Sequence, residues 1–205
     1  ETYLCCRSPG CSGQDELAAA VPWSSGVLQG RDGISFSDWH LEWGAAMNHP
    51  SDLVVRPARP GDAADLTTLA MLSKQSNGYD DAFMIACSDE LRVTPSLLEA
   101  HEYWVADNCG TPCGFACLKA DIKKGSGEIT ALFIHPAWQR RGIGRLLWRV
   151  VEQSARRKGL VALHLDADPE AEAFYRHLGF QTISRVPSGS IPGRTLPRME
   201  ISFPA

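Results

Sequence analysis

The run Q-R-R-G-I-G, residues 139 to 144, sets two arginines and two glycines directly before an apolar periodic stretch. Glycine inside a helix costs about 1 kcal/mol against alanine, so two near a helix start need a reason. The bare N–H groups at a helix start form an anion site, and the helix dipole adds to it. Gly142 and Gly144 would keep side chains out of a ligand's path, and Arg140, Arg141 and Arg145 add positive charge. Phosphate binding is the chemistry expected here. The competing reading is a surface helix start with solvated arginines.

Other reactive side chains form weaker patterns. Cys5, Cys6 and Cys11, with His40 and His49 far away, lack the paired C-x2-C or H-x3-H spacing of a zinc site, so no metal is expected. Cys113 and Cys117 share strand parity and read as small buried positions. Seven cysteines, an odd count with irregular spacing, suit a reducing compartment, and a cytoplasmic location is expected. His135, His164 and His177 each stand without a partner signal and read as structural.

Composition bounds the partners. A formal net charge of −4 argues against nucleic acid and anionic membranes, which are bound through an excess of Lys and Arg. No run of eighteen apolar residues suggests a membrane span, and "ELAAAVPWSSGVL" lacks the basic flank of a signal peptide. Residues 1–46 hold three cysteines, three of the six tryptophans (Trp23, Trp39, Trp43) and no sustained period. We read them as an irregular extension upstream of a natural start at Met47, with a domain over 47–205; the alternative is a native arm packing its tryptophans on that domain.

The domain alternates strands and helices. "LVVRPA" is a strand, and Asp62 is the expected N-cap of a helix whose inner face is Ala63, Leu66, Leu69 and Ala70. Residues 74–100 read as short helical pieces. "EYWVADN" and "CGFACLKA" form a hairpin about Cys109-Gly110. "GEITALFIHP" is a strand ended by Pro136, and a helix from 142 to about 157 buries Ile143, Leu146, Leu147, Val150 and Val151. Its last turn, "ARRKG" (155–159), places cations before a Gly159 cap. "LVALHLDA" is a strand apolar on both faces apart from His164, a short helix runs from Pro169 to Leu178, and "FQTISRV" and "TLPRMEISF" are closing strands. The fold class is mixed α/β with one central sheet.

Strand, Q-R-R-G-I-G, helix, strand and then "AEAFYRHLGF" is an order that resembles the GCN5-related N-acetyltransferase (GNAT) family. The family signature Q/R-x-x-G-x-G/A is met by Gln139, Gly142 and Gly144, and the resemblance runs from about Leu53 to Phe203. It implies a mostly antiparallel twisted sheet flanked by helices and acetyl-CoA as cofactor. The backbone amides of Arg140, Arg141, Gly142, Ile143, Gly144 and Arg145 would hold the pyrophosphate of coenzyme A. The backbone of Leu132, Phe133 and Ile134 would pair with the pantetheine arm, and an N–H freed where this strand splays could polarise the thioester carbonyl.

The reaction the resemblance implies needs a base, because an amine with a pKa of about 10 arrives protonated. Glu128, eleven residues before Gln139, matches the general-base glutamate of the histone-acetylating branch, with Asp80 and Asp81 as rival carboxylates. Tyr175 matches the tyrosine that protonates the departing thiolate. Asp168 stands where many relatives carry an asparagine that bonds the pantetheine, but a carboxylate can only accept there. Direct transfer to a primary amine in a ternary complex follows, on a small molecule or alternatively on a peptide amine. A non-catalytic acyl-CoA sensor and a homodimer stay open.

Overall fold

The computed structural model describes residues 53–204. The expectations for residues 1–46, including Cys5, Cys6, Cys11, His40, His49, Trp23, Trp39, Trp43 and the start at Met47, lie outside the described residues. Seven strands and five helices follow in the order β1 (Leu53–Pro57), α1 (Ala63–Gln75), α2 (Asp81–Cys87), α3 (Pro95–Ala100), β2 (Glu102–Asn108), β3 (Thr111–Asp121), β4 (Ser126–Ile134), α4 (Ile143–Arg157), β5 (Ala162–Asp166), α5 (Glu172–His177), β6 (Gln181–Pro187) and β7 (Thr195–Ser202). They form one sheet in the order β1-β2-β3-β4-β5-β7-β6. All its ladders are antiparallel except β4–β5, which are joined by the α4 crossover. Among the described residues no helix is long and apolar enough to cross a membrane.

The sheet separates two cores. On one face Ile143, Leu147, Trp148 and Val151 of α4 pack with Leu118, Leu163, Leu165, Tyr175 and Phe180. On the other, Leu66, Leu69 and Ala70 of α1 and Met84 and Cys87 of α2 cover Val105, Phe115 and Cys117. The β2–β3 hairpin turns in two residues, Cys109 at φ 52° and Gly110 at φ 83°, both in the left-handed region that matches strand twist. Gly159, at φ 69°, caps α4, and the Leu160 N–H returns to the Ala155 carbonyl at 3.0 Å.

Three local expectations are corrected. Cys113 and Cys117 are both fully buried but in opposite cores, because the β2–β3 register skips Cys113 and two successive residues then face α4. Asp62 holds the N-cap position of α1, as expected, but its side chain makes no capping bond to that helix. It closes a preceding 3-10 turn (Pro60–Asp62), and its carboxylate accepts from the Arg59 N–H at 2.7 Å. β5 is apolar on one face only, through Leu163 and Leu165, while His164 and Asp166 stand on a partly open face among the charged residues of β4 and β7.

Arg56 fastens the first strand to everything that follows. Its guanidinium grips Asp62 with two bonds, at 2.7 and 3.0 Å, and reaches Asp107 from Nε at 3.0 Å. Asp107, 5% exposed, also accepts from the hairpin Gly110 N–H at 2.6 Å. Bonding to Arg56, outweighing the opposite pull of burial, holds the Asp62 carboxyl below its ordinary 3.8. A carboxyl with a lowered folded value contributes stability above its ordinary value and loses it as pH falls through the lowered one. Arg56→Met should therefore cost about 2–4 kcal/mol at pH 7, since two largely buried carboxylates lose their cation. The deficit should shrink as pH falls from 3.8, the ordinary value of the Asp62 carboxyl, through its lowered folded value, where that group protonates. Urea unfolding of the full chain at pH 7 and in that acid range checks this; a loss under 0.5 kcal/mol, as at an ordinary surface site, would show the cluster to be a bystander.

Candidate active site

A gap in the sheet makes the site. β4 and β5 pair only at Ser126 with Ala162, Gly127 with Leu163 and Glu128 with His164. Close approach there needs Gly127, where a Cβ would lie 2.8 Å from the Leu163 side chain. Beyond Glu128 the two strands part. β4 continues along β3 as far as Ile134 opposite Gly114, while β5 continues along β7. The β4 edge from Ile129 onward thus has no strand partner on the β5 side, and Thr130 is bulged out of the β3 register. A cleft of about 510 Å³ fills the gap. β4 residues 129–134 form one wall, Leu165 to Asp168 with Phe174 and Tyr175 the other, and Ser73 and Lys74 of α1 line it together with Asn77 just beyond that helix.

The start of α4 closes one end. Arg140 at φ 63° and Gly142 at φ 84° turn the chain sharply into the helix, and Gly142 provides no side-chain cap. The first bond of α4 runs from the Leu146 N–H to the Gly142 carbonyl at 3.0 Å, so the N–H groups of Ile143, Gly144 and Arg145 have no acceptor within the helix. All three residues line the cleft, as do Gln139, Arg140 and Gly142. Gln139 fastens the loop, donating from Nε2 to the Ser76 hydroxyl at 3.2 Å and to the Ile134 carbonyl at 3.4 Å. Arg141 points elsewhere: it is outside the cleft lining, with its guanidinium 5.1 Å over the Trp138 ring. Gly144 lets α4 and α5 meet, because a Cβ there would lie 3.0 Å from the Phe174 ring.

Tyr175, 7% exposed, lines the opposite wall. Burial, and then the charge of Asp168, push its phenol above the ordinary value, so the group holds its proton at any physiological pH. Its hydroxyl has no hydrogen-bond partner among the described residues, yet no side-chain oxygen is sealed without one, so it opens onto the cleft.

Asp168 lines the cleft beside it and is heavily engaged. It accepts from Lys74 Nζ, from the Tyr79 hydroxyl at 2.9 Å, from the Glu170 N–H at 3.0 Å and from Arg194 at 3.4 Å. Burial alone would raise its carboxyl, but Lys74, the Glu170 N–H and Tyr79 together hold it below the ordinary value. Burial and Asp168 in turn push Tyr79 up to about 12.

The candidate bases fall differently. Glu128 lies just outside the cleft lining, on the partly open sheet face, with Lys119 Nζ at 3.7 Å and His164 beside it on β5. Asp80 is spent as the N-cap of α2, accepting from the Phe83 N–H at 2.8 Å, and Asp81 stands exposed in its first turn. Neither lines the cleft. His135 Nδ1 accepts from the Ala137 N–H at 3.2 Å, and His177 Nδ1 lies 2.6 Å from the Ala173 carbonyl on α5. Sequence reasoning missed Lys74, Tyr79 and Arg194. A polar run, S-K-Q-S-N, at the end of α1 was the one available signal.

The likeness to known proteins agrees with this geometry. A family model described as an acetyltransferase (GNAT) domain matches residues 99–182, from the start of the β2–β3 hairpin region to β6. An IAA acetyltransferase of Azospirillum brasilense is 35% identical over 81 residues, 38% of this chain and 53% of that protein. The chain spans about a third to a half of the length of the curated relatives it matches. A solved GCN5-related N-acetyltransferase from Rhodopseudomonas palustris superposes with TM-score 0.63 at 25% identity, covering 75% of this chain and 97% of that one. The PaiA N-acetyltransferase of Thermoplasma acidophilum, solved with coenzyme A, shares the fold at TM-score 0.62 and 20% identity, over 74% of this chain and 99% of that one. With its splayed β4–β5 pair and glycine loop at the head of α4, this chain carries a match to the acetyltransferase (GNAT) domain over residues 99–182 and shares the fold of these N-acetyltransferases.

Proposed function

We propose that this protein transfers an acetyl group from acetyl-CoA to the primary amine of a small molecule, directly and within a ternary complex. The observation that carries the reading is a single cleft that combines an unpaired β4 edge, unfilled N–H groups at the head of α4 and the open hydroxyl of Tyr175. Residues 47–205 are the catalytic unit, and residues 1–46 are an extension to it.

The residues fit the donor. The N–H groups of Ile143, Gly144 and Arg145, with Arg140 and Arg145 in the lining, suit a pyrophosphate. The free edge of β4 from Ile129 to Ile134 suits the amide-bearing arm of coenzyme A, which it would hold as an added strand. Apolar walls at Leu132, Ile134 and Phe174 cover its alkyl parts. Bound acetyl-CoA supplies a thioester-activated acetyl group. An N–H of the bulged β4 segment about Thr130 would polarise its carbonyl. Tyr175 holds a proton where a thiolate would leave, and burial that makes it a weaker acid also keeps it protonated. Glu128 takes the amine proton through water, since it is not among the residues that line the cleft although its neighbour Ile129 is. Asp168 can only accept, and four donors already surround it.

Tyr175→Phe should lower kcat by about a hundredfold, the usual worth of a positioned acid, and leave the Kd for coenzyme A within about twofold. Thiol release with an amine panel, and calorimetry on the full chain, read the two quantities. An unchanged kcat would remove the acid role. Initial-rate lines should intersect rather than run parallel, as direct transfer requires.

Gly144→Val tests the loop. Overpacking against Phe174, where even a Cβ would lie 3.0 Å away, should shift the head of α4 and weaken coenzyme A binding by about tenfold, about 1.4 kcal/mol. Undiminished affinity would show that the head of α4 does not hold the pyrophosphate.

A further inference from the structure

The connection between β6 and β7, residues 188–194, is fastened to the rest of the domain at two points, one of them through Asp168, which lines the cleft. At one end Arg194 donates to the Tyr79 hydroxyl and, at 3.4 Å, to Asp168. Its guanidinium also lies 4.9 Å over the Tyr79 ring and 4.8 Å over the Phe83 ring, which stack on each other at 4.0 Å. At the other end the Ser190 hydroxyl donates to Glu90 at 2.9 Å. The connection is itself ordered, with the Ser188 N–H bonded to the Arg194 carbonyl at 2.8 Å and the Arg194 N–H to the Ile191 carbonyl at 3.2 Å.

Asp168 joins these parts. One carboxylate, only 12% exposed, gathers Lys74 from α1, Tyr79 from the α1–α2 connection and Arg194 from the β6–β7 connection. Two cations against one carboxylate leave a positive excess, which Glu90 and Glu170 nearby oppose. Charge pairs this dry are held by their full partner set, and losing one leaves the others stranded. Tyr79 donates to Asp168 while accepting from Arg194, so the three groups form one chain of bonds.

We propose that Asp168 is a positioning residue: through Lys74, Tyr79 and Arg194 it clasps residues 188–194 over the acceptor end of the cleft. The result is a roofed pocket for one small amine rather than a groove for an extended peptide. This rests on the acetyltransferase reading for the chemistry, but the clasp itself does not. Asp168 acts on the acceptor side, not as a ligand of coenzyme A.

The test compares the full wild-type chain with Arg194→Met, which spares the Lys74–Asp168 pair, and with Asp168→Asn. Hydrogen exchange at the Ser188 and Arg194 amides should speed up at least about tenfold in both variants, as local opening becomes easier. KM for a small amine should rise at least about tenfold with a smaller change in kcat, while coenzyme A binding stays within about threefold. The wild-type chain should acetylate small amines and leave a lysine-containing peptide untouched. Unchanged exchange at 188–194 in both variants overturns the clasp, whatever the coenzyme does. Loss of coenzyme A affinity in Asp168→Asn without loosening of the loop makes Asp168 a cofactor ligand instead. Equal wild-type activity on the peptide overturns the roofed pocket. Absence of coenzyme A binding by the wild-type chain sinks the acetyltransferase reading alone, and the exchange data still decide the clasp.

Discussion

Everything at this site depends on where β4 and β5 stop pairing. A parallel ladder that continued past Glu128 and His164 would satisfy the β4 edge with protein and fill the cleft with strand. Ending it there leaves a row of main-chain donors and acceptors that something else must meet, since unpaired backbone groups seldom persist away from water. The strands can part without collapse because each keeps its other neighbour, β4 along β3 and β5 along β7. Where they do meet, Gly127 allows an approach that no side chain would. The ligand site is thus a planned vacancy in a ladder, held open by two intact ladders beside it.

The head of α4 enters the same vacancy from below, and the cost of its glycines is now intelligible. Gly142 supplies a left-handed turn and Gly144 a close crossing with Phe174. These two demands are separate: one concerns backbone conformation and the other interhelical distance. Together they bring the N–H groups of α4 and the hydroxyl of Tyr175 to opposite sides of one cleft. The unfilled N–H groups and the protonated phenol are therefore related through helix packing rather than through a mobile loop.

Much of this arrangement was legible in the residues. Q-R-R-G-I-G announced the loop, and the hairpin about Cys109-Gly110 followed from turn chemistry alone. Local register was harder. Strand parity placed Cys113 and Cys117 together, yet a single skipped residue puts them in different cores, because period-two reasoning has no memory of a bulge. Asp62 read as a helix cap, the ordinary role of its type, but Arg56 and the Arg59 N–H compete for its oxygens and win. β5 read as buried on both faces from its apolar run, yet His164 and Asp166 set its second face among the charged residues of β4 and β7. The Asp168 cluster was least legible of all. Its partners lie 94, 89 and 26 residues away in sequence, and only the folded sheet brings them together.

That cluster also explains why a carboxylate serves at position 168. An asparagine there would offer one carbonyl oxygen and two donors, but the groups surrounding Asp168 are themselves donors. Lys74 and Arg194 are both less than a fifth exposed, so a neutral amide would leave two cations without a counter-charge. Lys74, with the Glu170 N–H and Tyr79, instead stabilises the ionised carboxylate and offsets the burial that would raise it. The same negative charge, close to Tyr175, disfavours the tyrosinate and keeps its phenol protonated. A residue that ties the β6–β7 connection to α1 and α2 therefore also conditions the proton opposite the β4 edge. Acceptor closure and proton retention share one carboxylate, and neither can be altered there without disturbing the other.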